Sequence, residues 1–140
     1  MLTRLDHVSI GVLDMDKAKE LFCEILGAEI LPDAGESTEG FDWITFLLGG
    51  KKVELVSPRT AGQGGVGQYL EKNGEGFHHI SCAVEDLVES RAYFETKGIR
   101  ILGYNDQSEN FKHFYLHPKD TFGALIQVFE ECDRTRELAG

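Results

Sequence analysis

Two short phrases in this chain carry the same residues in the same places. His7-Val8-Ser9-Ile10-Gly11-Val12 matches His79-Ile80-Ser81-Cys82-Ala83-Val84, with His7 against His79, Ser9 against Ser81 and Val12 against Val84 at one fixed offset. A lone histidine on a strand is most often a half-buried, hydrogen-bonded side chain. A histidine repeated with its surroundings carries more weight. A second matched pair follows, Glu54 within Val53-Glu54-Leu55-Val56 and Gln127 within Leu125-Ile126-Gln127-Val128-Phe129. An acid or amide inside an apolar strand is costly unless it is paired or bound to something. Two imidazoles, a carboxylate and an amide carbonyl form a reasonable ligand set for one divalent transition metal such as Co, Ni, Zn, Mn or Fe, with His7, Glu54, His79 and Gln127 as its ligands. The competing reading leaves Glu54 facing solvent on a half-exposed strand.

The elements that would hold these residues follow from periodicity. Leu5 to Val12 alternates as a strand, and Asp14 or Asp16 can cap the helix after it. Ala18, Leu21, Phe22 and Ile25 recur at helical spacing, and Gly27 ends that helix as a left-handed cap. Ala28 to Leu31 predicts a second strand, and the acidic, Gly-containing stretch from Pro32 to Gly40 a loop. Phe41 to Leu48 and Lys51 to Ser57 predict a hairpin around Gly49-Gly50. The Gly-rich stretch from Arg59 leads into a short helix over Val66 to Lys72, with Tyr69 and Leu70 as anchors.

The scheme then restarts. Phe77 to Val84 reads as a strand, Asp86 caps a helix running to Lys97, and Gly98 ends it. Strands are expected over Ile99 to Gly103, Phe111 to Leu116 and Ala124 to Phe129, before a charged tail that reads equally as a frayed helix or as disorder. The predicted organisation is a first βαβββ module over residues 1–58, a linker over 59–76, a second βαβββ module over 77–130 and a tail over 131–140. Each module has an apolar sheet face it cannot hide alone. Two together would form an α+β fold, a curved eight-stranded mixed sheet with helices outside and the metal site on its concave side.

Composition excludes several classes. A chain of 140 residues, 41% hydrophobic and 27% charged, is ordinary for a globular protein. A net charge of −10 argues against a nucleic-acid partner. No apolar run reaches membrane-spanning length, and the start of the chain has no signal-peptide core. Cys23, Cys82 and Cys132 are odd in number and lack metal-type spacing, which fits a reducing, cytoplasmic compartment. Apolar helix faces and exposed sheet edges predict a homodimer.

Leu5-Asp6-His7-Val8, Lys52-Val53-Glu54-Leu55-Val56-Ser57-Pro58, Phe77-His78-His79-Ile80 and Leu116-His117-Pro118-Lys119-Asp120 followed by Gly123 together resemble the vicinal oxygen chelate superfamily of glyoxalases and bleomycin-resistance proteins. The resemblance covers the chain to about Phe129 and is nearest to the methylmalonyl-CoA epimerases. It implies paired βαβββ modules and a metal on His7, Glu54, His79 and Gln127. It also exposes a departure. Such enzymes generally carry Glu at the position of Gln127, where it binds metal and serves as a base, and several carry Gln at the position of Glu54. Here the two are exchanged.

The implied chemistry is removal of the proton between two carbonyl-type groups, with the resulting enolate stabilised by the cation. Glu54 is the first candidate for the base, and Asp42 a weaker one whose plainer reading is a solvated strand-edge acid. The expected activity is a metal-dependent isomerase or epimerase acting on an acyl-CoA or related dicarbonyl substrate. A glyoxalase I-like lyase, a metal-dependent dioxygenase and a metal-free small-molecule binding protein are the alternatives. The chain's acidity does not by itself suggest a polyanionic ligand, although Lys51, Lys52, Lys112 and Lys119 could supply local positive charge.

Overall fold

The alternation of apolar and polar residues is realised as eight strands in a computed structural model that describes residues 1–139. In chain order these are β1 (Arg4–Gly11), β2 (Glu29–Glu36), β3 (Phe41–Leu48), β4 (Lys51–Pro58), β5 (Gly76–Val84), β6 (Ile101–Asn105), β7 (His113–Leu116) and β8 (Ile126–Glu130). The helices are α1 (Met15–Lys19, continued by a π-helical turn over Glu20–Ile25), α2 (Gly64–Asn73), α3 (Leu87–Thr96) and α4 (Asp133–Glu137). The strands form one mixed sheet in the order β2-β3-β4-β1-β5-β8-β7-β6. β1 pairs in parallel with β4, β5 pairs in parallel with β8, and the remaining pairs within each repeat are antiparallel. The α+β class and the repeated strand–helix–strand–strand–strand order are those the sequence predicts. Among the described residues, no helix is long and apolar enough to cross a membrane.

By its internal contacts the chain divides into two compact units, Val8–His78 and the pair of segments Met1–His7 with His79–Ala139. In the first, Val12, Phe46 and Leu55 are buried, and Ile10, Met15, Ala18 and Phe22 close over them. The rings of Phe22 and Phe46 lie 5.2 Å apart. A second cluster forms where α2 brings Val66 and Leu70 onto Val56, beside Phe41, Trp43 and Tyr69. Gly11 leaves room there for Leu70, whose Cδ2 would stand 2.4 Å from a Cβ at that position and would have to turn aside. The second unit buries Val84, Leu87, Phe114, Leu116 and Val128, with Phe94, Ile101 and Tyr104 around them.

Local chemistry sets the ends of the elements. Asp14 accepts a hydrogen bond from Lys17 N, and Asp86 from Glu89 N, as expected of caps. Gly27 and Gly98 take φ of 75° and 78° just beyond the helices they end. Gly49 and Gly50, at φ 56° and 81°, make the tight hairpin turn.

Two expectations need correction, and of the two readings of the tail the helix is the one found. Residues 32–36 are not loop but the second half of β2. Pro32 is tolerated because β2 is an edge strand, and its pairing with β3 slips between Ile30 and Ala34. The strands β6, β7 and β8 start two residues later than the apolar runs suggest. Ile99, for example, still gives its N–H to Phe94 O and so closes α3. The charged tail is ordered through α4: Thr135 O accepts from Arg4 Nη2 at 3.3 Å, and Arg4 also pairs with Glu131. Gly140, the end of that tail, lies outside the described residues.

Asp120, in the turn between β7 and β8, accepts from the backbone N, Nε and Nη2 of Arg100, each at 2.9 Å. The side-chain hydrogen bond from Arg100 is the main reason its carboxyl is held well below the usual carboxylate range. A depressed folded-state value contributes stability above the ordinary pKa and loses it as the pH falls below that value. Asp120→Asn is therefore expected to lower the Tm near neutrality, and the gap from the parent should narrow as melts are taken below about pH 4. A gap that stays constant into strong acid would show that the charge contributes nothing.

Candidate functional site

The repeat is reproduced in strand register. Ser9 on β1 lies opposite Glu54 on β4, and Ser81 on β5 lies opposite Gln127 on β8. His7 and His79 each stand two residues before their serine, so each shares its face of the strand. Ser9 Oγ donates to Glu54 Oε1 at 2.9 Å, and Ser81 Oγ donates to Gln127 Oε1 at 2.8 Å. His7, Ser9, His79, Ser81 and Gln127 are buried, and Glu54 is half-buried, so the reading of Glu54 as a solvated strand residue is set aside.

The antiparallel neighbours extend the correspondence and then break it. Thr45 lies opposite Glu54 and Tyr115 opposite Gln127. Thr45 Oγ1 donates to Asp33 O at 2.7 Å, whereas Tyr115 OH accepts from Gln127 Nε2 at 3.1 Å. The amide of Gln127 is thus held at both ends. The Tyr115 ring also meets the imidazoles of His79 and His113 edge-on, at 5.8 Å and 5.7 Å between centroids.

His7 is oriented from behind. Its Nδ1 lies 2.7 Å from Asp6 Oδ2, and Asp6 Oδ1 accepts from Arg4 Nε at 3.1 Å and Nη2 at 2.8 Å. A carboxylate on one ring nitrogen fixes the tautomer and presents the other, Nε2, as the ligand atom. The two imidazoles face each other at 5.9 Å and 70°. His7, Glu54 and His79 each offer one ligand atom, and these atoms lie within 4.8 Å of one another. Ligands on a common transition metal, at bonds of about 2.0–2.2 Å, are separated by up to roughly 4 Å, so small rotamer adjustments bring these three into range. The donor chemistry and burial fit a divalent cation.

The structure therefore brings together three of the four expected ligands and pins Gln127 at the equivalent place on β8. His78, next to His79, belongs to the packing instead. Its ring lies 4.4 Å from that of Tyr69, and burial lowers its pKa to about 4, so it stays neutral. Asp42 is not a base for this site. It lies opposite Ser57 while Glu54 lies opposite Thr45, an odd number of residues along β3, so its side chain is on the other face of the sheet. There it sits half-exposed, 3.8 Å from Arg59 Nη1. Sequence reasoning assigned no role to Asp6 or Tyr115, and used Ser9 and Ser81 only as markers of the repeat. The signal for Tyr115 was its place on the strand antiparallel to Gln127, which requires the register.

Paired βαβββ repeats carrying a His–Glu–His cluster, its histidines buried and its glutamate half-buried, define a class of paired-module proteins with a candidate metal site. A family model described as the Glyoxalase/Bleomycin resistance protein/Dioxygenase superfamily matches residues 6–115, and the chain belongs to that superfamily. It is 35% identical over 132 residues to an ethylmalonyl-CoA/methylmalonyl-CoA epimerase of Cereibacter sphaeroides, covering 91% of this chain and 98% of that one. A variant of the Streptomyces coelicolor methylmalonyl-CoA epimerase, solved with 2-nitronate-propionyl-CoA, superposes with a TM-score of 0.82 at 28% identity, covering 95% of this chain and 97% of the other. A methylmalonyl-CoA epimerase in complex with methylmalonyl-CoA and ammonium gives the same TM-score at 29% identity and the same coverage.

The bond from Asp6 to His7 carries an expected outcome. Asp6→Asn should weaken divalent-metal affinity roughly 10–100-fold, as loss of an outer-sphere carboxylate on a histidine ligand commonly does, measured by competition with a chromophoric chelator. An unchanged affinity in a folded variant would reduce Asp6 to a structural partner of Arg4.

Proposed function

We propose that this chain is a metal-dependent epimerase that exchanges the α-proton of a carboxyacyl-CoA thioester of the methylmalonyl-CoA kind. The observation that carries the reading is the convergence of His7, Glu54 and His79, with Gln127 fixed at the fourth matched place. Its relatives, named as epimerases of such thioesters, supply the substrate class. His7, Glu54, His79 and Gln127 would hold the cation through two imidazole nitrogens, a carboxylate oxygen and an amide oxygen. A divalent ion in that place supplies charge stabilisation to oxygens that become negative when the α-carbon loses its proton.

The remaining steps belong to the chain. Glu54 accepts the α-proton on a carboxylate oxygen, leaving an enolate; protonation of the opposite face of the carbon from solvent completes epimerisation, and Glu54 gives its proton back to solvent. Gln127 cannot take a proton at neutral pH, so its part is to bind through oxygen. We also propose that the chain works as a homodimer, in line with its exposed sheet edges.

One observation favours a second reading. The cluster is itself a two-histidine, one-carboxylate set, and the Gln127 amide already has a hydrogen-bond partner at each end. Such sets leave coordination places open for oxygen chemistry. Dioxygen consumption in the presence of candidate substrates separates this oxygenase reading from the first.

The direct test incubates the metal-loaded protein with methylmalonyl-CoA in deuterated water and follows deuterium entry at the α-carbon by mass spectrometry, with metal content measured on the same samples. Parent protein should incorporate deuterium. Glu54→Gln should slow incorporation by roughly 10²–10⁴-fold while keeping some metal, and Gln127→Glu on that background should recover part of it. Near-parental rates from metal-bearing Glu54→Gln would remove Glu54 from the role of base.

A further inference from the structure

Ser9 and Ser81 have no side-chain role in the apolar clusters, yet both are fully buried. Each gives its hydroxyl proton to the side chain registered beside it on the parallel neighbour, at 2.9 Å to Glu54 and 2.8 Å to Gln127. Two such bonds at repeat-related places, each within its own compact unit, make a device rather than a coincidence of packing. We propose that Ser9 and Ser81 are matched positioning residues, and that Ser81 with Tyr115 sets which end of the Gln127 amide is offered as a metal ligand.

The chemistry is asymmetric. A carboxylate only accepts, and its two oxygens are alike, so Ser9 steadies Glu54 but does not choose between its oxygens. An amide has unlike ends, and turning it over would present an NH2 group to the cation. Ser81 donates to Oε1 while Tyr115 OH accepts from Nε2, which sets the oxygen end toward β5, the strand that carries His79, and turning the amide over would require both hydroxyls to reverse their roles together. Thr45, which occupies the corresponding register beside Glu54, gives its hydroxyl to Asp33 O instead. The inference rests on the reading of Gln127 as a ligand.

The test is Co(II) titration of the metal-free full-length chain, followed by visible absorption, with Tm recorded for every variant. Ser81→Ala should weaken Co(II) binding roughly 10–100-fold, Ser81→Thr, which keeps the hydroxyl, should bind close to the parent, and Ser81→Cys, which fills the space with a weak donor, should fall between. The discriminating measurement repeats Ser81→Ala with Gln127→Glu. A carboxylate has no wrong end to present, so the loss should shrink to about a few-fold. Ser9→Ala should show only that smaller loss in the parent background. An equal loss from Ser81→Ala with Gln127 and with Glu in its place would overturn the orienting role, as would a lowered Tm with unchanged Co(II) affinity. If Gln127→Ala itself leaves Co(II) affinity unchanged, the ligand reading fails. If Gln127→Ala weakens binding and Ser81→Ala does not, only the positioning role fails.

Discussion

The constraint on which this structure depends is the placement of a carboxylate and an amide inside strands whose neighbours are apolar. A buried polar group left unsatisfied costs about 1–3 kcal/mol, and more when it is charged. Parallel pairing of β1 with β4 and of β5 with β8 meets that cost in the same way twice, by setting a serine hydroxyl beside each group. A one-residue slip in either pairing would turn the whole strand over and send Glu54 or Gln127 to the other face. The packing of Phe46 and Leu55 in one unit, and of Phe114 and Val128 in the other, holds the registers that keep the polar pairs in place.

The repeats carry an acid at one matched place and an amide at the other. The carboxylate on β4, beside one hydroxyl, is able to accept a proton, and the amide on the last strand is not. Tyr115 then lies against the amide rather than against an acid. The carboxylate of Asp6, backed by Arg4, fixes the His7 imidazole, so a hydrogen-bonded chain runs from the tail helix through Arg4 and Asp6 to His7.

Much of this was legible from the residues alone, because the repeat carried both periodicity and chemistry. His7 and His79, Glu54 and Gln127 could be paired by alignment of one half with the other, and Asp14, Asp86, Gly27 and Gly98 marked helix ends through local physics that needs no tertiary context. What stayed hidden depends on neighbours distant in sequence. Pro32 reads as a strand breaker until β2 is known to lie at the edge of the sheet, where a missing N–H costs little. Asp42 stands as a weaker candidate behind Glu54 until register puts the two on opposite faces. The tail helix has local caps at Cys132 and Thr135, but its tie to Arg4, more than a hundred residues earlier, is announced by no local pattern.

The most direct measurement is anomalous diffraction from crystals of the protein loaded with Co(II). One ion per chain, about 2.0–2.3 Å from His7 Nε2, a nitrogen of His79, a carboxylate oxygen of Glu54 and Oε1 of Gln127, is the expected result. An ion bound elsewhere, or one held by the histidines while Gln127 stays out of the coordination sphere, would contradict the matched four-ligand site.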